Sequence, residues 1–175
     1  MAQRHRLRHT IVFTILLLVL MLLILSYRHL SYAEQRSHPR ESRVLKNPVE
    51  DLSDEEAIAQ FNEDFVLYLL YTIKAQRLHN PPLSKSTPKI EVFVDEDVYR
   101  AEVIDNVIYV GRGRFSAKDI VITTSAREAV QMLRDQSHIV ESFAQGNSHL
   151  EIIEDKVTLF AKGYREIHNE VTKKT

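Results

Sequence analysis

The sequence predicts an α+β domain, a five-stranded and mainly antiparallel sheet covered by helices, preceded by one transmembrane helix. Three observations carry this. An unbroken apolar run stands near the N-terminus, residues 89–110 switch to a period of two, and capped segments of helical period flank that stretch on both sides.

Composition narrows the class first. A chain of 175 residues has room for one ordinary domain and a short appendage. With 44% hydrophobic and 27% charged residues and only four Gly and five Pro, it is neither disordered nor fibrous. The net charge of -1 hides an asymmetry. Residues 1–43 carry seven Arg against two acids, whereas the rest carries 16 Lys and Arg against 22 Asp and Glu. A basic head suits a membrane surface, and an acidic body argues against nucleic acid as a partner. The absence of cysteine excludes disulfides, thiolate metal sites and Cys nucleophiles.

Residues 1–9 read as a basic tail and residues 10–27 as the membrane span. Ile11 to Leu25 is apolar except for Thr14. Eighteen helical residues reach roughly 27 Å, just sufficient for a bilayer core of about 30 Å. Tyr27, Arg28 and His29 extend the span into the interface. Arg4, Arg6 and Arg8 favour a cytoplasmic N-terminus and a single-pass protein with its domain outside the cytoplasm. The alternative is a signal peptide cleaved after Ala33, at Ser31-Tyr32-Ala33. The apolar run is long for that role, and Arg28 and His29 interrupt the approach to the site.

Residues 28–52 are polar, Arg-rich and broken by Pro39 and Pro48, the pattern of a linker or stalk. The domain is expected over 53–175. Ser53 and Glu56 form a capping box, and Ile58, Phe61, Phe65, Leu69 and Ile73 follow at helical spacing until Asn80-Pro81-Pro82. Lys89–Val94 alternates as a strand, Asp95-Glu96-Asp97 turns, and Val98–Ile104 returns. Asp105-Asn106 is a hairpin turn into Val107–Val110, and Asp119–Thr123 is a fourth strand. Ser125 and Glu128 suggest a second capping box, and a short helix from Ser137 closes at Gly146. Ser148–Ile153 is the fifth strand. One amphipathic helix is then expected to carry Val157, Phe160, Ala161, Tyr164, Ile167 and Val171 on one face.

The stretch DIVITTSAREAVQMLRDQSHIVESFAQGNSHLEIIEDKVTLFAKGY resembles the C-terminal half of the sterol carrier protein 2 (SCP2) family, and the meander IEVFVDEDVYRAEVIDNVIYVGRG fits that family's sheet. Asp119, the Thr123–Ser125 turn, Leu133, Phe143, Gly146 and the strand at 150–152 fall where the pattern wants them. The sequence departs from it after Gly146 and at Glu154-Asp155, where a second Gly is usual, and in its membrane segment. The resemblance covers roughly residues 55–170. It implies a sheet under helices enclosing an apolar tunnel for lipids or fatty acyl chains, with Phe61, Phe65, Leu69, Leu133, Phe143, Phe160 and Tyr164 as candidate lining. Taken singly, each of these reads first as plain core packing, which a domain of this size needs in any case.

Sites for other chemistry are missing from the sequence. No nucleophile elbow, P-loop or dinucleotide Gly pattern occurs, no His pair has metal-ligand spacing, and no cofactor is implied. Arg112 and Arg114, in Gly111-Arg112-Gly113-Arg114, could meet a lipid head group, or be solvated charges at a strand end. The expectation is therefore a non-enzymatic, membrane-anchored module for an apolar ligand, with the bilayer as partner. The alternative is an anchored protein-interaction domain with a filled core.

Overall fold

Alternation of apolar and polar residues from Lys89 onward builds the sheet on which everything else rests. The computed structural model describes residues 45–172. The basic tail, the expected span at 10–27 and the first part of the stalk lie outside the described residues, as do residues 173–175. None of the described helices is long and apolar enough to cross a membrane.

Five strands, β1 (Lys89–Val94), β2 (Asp97–Ile104), β3 (Val107–Arg112), β4 (Ile120–Thr124) and β5 (His149–Ile152), lie in the order β3-β2-β1-β4-β5. The sheet is mixed: β1 pairs with β4 in parallel, and the other three pairings are antiparallel. Both hairpins turn on two residues. Asp105 and Asn106 take φ of 51° and 65°, the left-handed pair that matches strand twist. The first turn is tighter than expected, because Asp97 already pairs with Val94.

Register puts Ile90, Val92 and Val94 on one face with Tyr99, Ala101, Val103, Ile120 and Ile122, all buried. The helices cover this face. They are α1 (Asp54–Ala59), α2 (Glu63–Thr72), α3 (Ala126–Arg134), α4 (Ser137–Gln145), α5 (Lys156–Ala161) and α6 (Arg165–Thr172). The unit Leu45–Thr175 thus carries one continuous hydrophobic core of its own. That core includes Val49 from the expected stalk. Arg134 holds this segment through the carbonyls of Val49 and Leu52, and the Asn47 side chain donates to the Leu133 carbonyl at 2.8 Å.

Three helix expectations are corrected. The first helix is two, because Asn62 caps a new one by accepting from the Asp64 amide at 2.9 Å. Ser125 caps α3, but the return half of its capping box is not made: the Glu128 carboxylate goes to His138 instead, at 2.9 Å. The last helix is also two. Gly163, at φ 87°, breaks it, and a Cβ there would lie 3.2 Å from the His79 ring.

Candidate functional site

A break in the last helix re-phases its two halves, and this determines which side chains reach the sheet. Asp155 caps α5, accepting from the amides of Val157 and Thr158 at 2.9 and 3.0 Å. From that start Leu159 turns inward and is 6% exposed, while Val157 and Phe160 face solvent at 78% and 69%. Beneath α5, the edge strand β5 places Leu150 opposite Ile122 and Ile152 opposite Ile120. Ile120 is buried, but Ile152 and Ile153 remain about half exposed.

Between these elements lies a small cleft of about 30 Å³. Ile120, Leu150 and Ile152 form its floor, Leu159, Tyr164 and Ile167 its roof, and His168 stands at its margin. Apart from His168 and the Tyr164 hydroxyl the lining side chains are hydrocarbon, so the cleft can hold a methyl end or an alkyl segment but offers little to a polar guest. Its volume corresponds to about two water-sized atoms, far below the several hundred Å³ of a small-molecule pocket.

The roof is pinned by a buried polar knot. Lys162 Nζ lies 2.7 and 3.0 Å from the two Asp119 oxygens and donates to the Thr87 carbonyl at 3.2 Å. Asp119 Oδ2 also accepts from the Tyr164 hydroxyl at 2.9 Å and from the Lys89 amide at 2.8 Å. Both charged side chains are under 5% exposed. A buried ion pair survives only when its remaining hydrogen-bonding capacity is met, and here it is. Burial raises the Tyr164 hydroxyl pKa well above its usual range, and the Asp119 charge adds to the effect, so it remains a donor. Outside the helix, Arg77 pairs with Glu166 at 2.9 Å and Lys74 with Glu170 at 2.5 Å.

A second polar chain runs under α4. Ser148 Oγ lies 2.8 Å from both Thr124 Oγ1 and Ser142 Oγ, deep in the fold. Burial works against the Glu128 charge, but hydrogen bonds from Ser142 and His138 outweigh it and hold the carboxyl below its ordinary pKa.

The structure distributes the residues expected from sequence. Phe65, Leu69 and Leu133 are buried in the main core, where Phe61, half-buried, sets its ring 5.0 Å from that of Phe65. Phe143 is half-buried against the same core. Tyr164 lines the cleft, and Phe160 stands on the surface beside it. Arg112 is engaged by Glu63 at 3.2 Å and Asp97 at 3.0 Å, whereas Arg114 lies over the Phe93 ring at 4.8 Å. In the sequence Asp119 reads as a strand start that fits the family pattern, and Lys162, Leu159 and Ile152 carry no mark of a site. Lys162 has no sequence signal, because its partner is 43 positions away. Among the described residues no group of three or more His, Asp or Glu converges as metal ligands would.

No protein-family description matches the chain, and no curated protein matches it. Similar solved structures include a ubiquinone synthesis protein described as UbiJ-SCP2, at 13% identity and TM-score 0.35, covering 63% of this chain and 85% of that one. Another is sterol carrier protein 2 like 2 from Aedes aegypti, at 17% identity and TM-score 0.33, covering 55% and 94%. A double mutant of the sec-alkyl sulfatase PisA1 matches at 13% and TM-score 0.40, over 69% of this chain but only 18% of its own length. At these levels of similarity the neighbours assign no activity.

Proposed function

We propose that this domain binds an elongated apolar ligand, a fatty acyl chain or lipid tail, at the cleft between β5 and α5. On this reading residues 10–27 anchor the protein as a single-pass membrane protein, and the bilayer supplies the ligand. One observation carries the reading: an apolar cleft opens beside four exposed large hydrophobics, Ile152, Ile153, Val157 and Phe160, within nine residues of chain. Apolar side chains grouped in this way mark a surface that is covered in use. The end of a chain enters over Leu159 and Ile152, and the remainder lies along Val157 and Phe160. A deeper seat requires α5 to swing outward while Asp119 keeps residues 162–164 in place. The resemblance to the SCP2 family agrees with a ligand of this class.

A second reading also has an observation behind it. Phe65, Leu69 and Leu133 are no more than 4% exposed within one cluster, as in a filled core, and a protein partner would then cover the same rim. Lipid extraction and native mass spectrometry of the 45–175 unit separate the two. The ligand reading expects a co-purifying lipid, or one added acyl chain bound per protein and lost on Leu159→Asp. A clean protein that ignores added acyl chains hands the site to the second reading.

A further inference from the structure

The sheet face turned away from the core carries Lys89, Glu91, Phe93, Arg100, Glu102 and Tyr109. Because β3 and β4 are not neighbours, the connection between them, residues 113–119, must cross the sheet, and its bonds to Glu91 put it on this face. It is fastened at its middle. The Glu91 carboxylate, fully buried, accepts from the Phe115 amide at 2.7 Å and from Lys118 Nζ at 2.6 Å.

Fastening the connection arranges the charges. The Phe115 ring has Lys89 Nζ at 5.4 Å and the Arg100 guanidinium at 5.9 Å, and Arg114 lies over Phe93. Of the acids on this face, Glu91 is neutralised by Lys118, Glu102 accepts from the Thr87 hydroxyl and keeps its charge directly across from Lys89, and Glu151 stands two strands away on β5. With Lys89 offset by Glu102, Arg100 and Arg114 make a cationic, aromatic-backed spot on a domain whose sequence is otherwise acidic.

We propose that this face docks on an anionic phospholipid bilayer, with Arg100 and Arg114 meeting lipid phosphates. Charge complementarity selects that partner. Arginines held against rings keep their donors free for phosphate oxygens, Tyr109 adds a phenol suited to the interface, and the net negative charge of the rest of the domain disfavours a docked face that lacks such a spot. The proposal rests on residues 10–27 as a span only for why a bilayer is close. It is independent of the cleft.

Co-sedimentation of the 45–175 unit with vesicles tests it, comparing phosphatidylcholine alone with phosphatidylcholine plus phosphatidylglycerol. Binding is expected only to the anionic vesicles and should weaken as salt rises. Arg100→Ala with Arg114→Ala should lower it by about 25-fold, roughly five-fold per charge, while the paired Arg→Lys variant keeps most of it. Equal binding to both vesicles, no binding to either, or an Ala pair that binds as well as the parent overturns the proposal. So does a single-stranded oligonucleotide that binds more tightly than the vesicles and is lost in the same variants. Val157→Ser with Phe160→Ser, which disables the cleft rim, should leave the anionic preference intact, so a failure of the ligand reading is recognisable separately.

Discussion

The middle of the sheet and its β5 end treat their apolar residues differently. Around β1 and β2, Val66, Leu70, Ile90, Val92 and Tyr99 are fully buried between sheet and helices. At the β5 end, Leu150 is half-buried, Ile152 half-exposed, and Val157 and Phe160 stand in solvent. Burying a large apolar side chain contributes about 1.5–3 kcal/mol, so the middle supplies stability and the β5 end forgoes some. The open end is held instead by polar contacts reaching back to Asp119. Stability and exposed apolar surface are therefore assigned to different parts of one small domain, as a binding surface on a stable support requires.

The largest expected effect tests the fastening of the open end. Asp119→Ala leaves the Lys162 ammonium buried without its partner and should cost about 3–5 kcal/mol, measured by urea denaturation. A loss under 1 kcal/mol would mean that the knot does not hold the roof. Next, Leu70→Ala in the closed middle should cost about 2–5 kcal/mol by the same measurement, with acyl binding unchanged in the folded fraction.

A pH experiment sharpens the picture of the support. The Glu128 pKa is lower in the folded state than its ordinary value of 4.5. Its contribution is therefore complete above about pH 4.5 and disappears as pH falls through the folded value. Glu128→Gln should cost about 1.5–3 kcal/mol at pH 7 and flatten the fall in stability below pH 4.5, read from melts across that range. The smallest effect belongs to the rim. Phe160→Ser should change stability by about 0.5 kcal/mol or less while weakening acyl binding. A rim substitution that unfolds the domain would erase the distinction between the closed middle and the open end.

Local chemistry made much of the fold legible. Ser53 with Glu56, Asp105-Asn106 and Gly146 each act within a few residues, and each does what its sequence announces. The cleft was legible only in part, for a long-range reason. One continuous helix from Val157 to Val171 would place Phe160 with Tyr164 and Ile167 on its inner face. The turn at Lys162-Gly163, set by Asp119 and His79, shifts the phase: Leu159 goes in and Phe160 goes out. Arg112 illustrates the same limit, since Glu63, from a helix distant in sequence, claims the guanidinium that the Gly-Arg-Gly-Arg pattern offered to a head group. The break in the first helix was written in Asn62, a capping residue, and was hidden by the apolar spacing around it.

The most direct test of ligand binding at the open end is a methyl-labelled NMR titration of the 45–175 unit with a long-chain fatty acid. The account predicts saturable shifts at Leu150, Ile152, Leu159 and Ile167, with Val66, Leu70 and Val92 unmoved. Shifts centred on Leu69, Leu70 and Leu133, or none at any methyl, would contradict it.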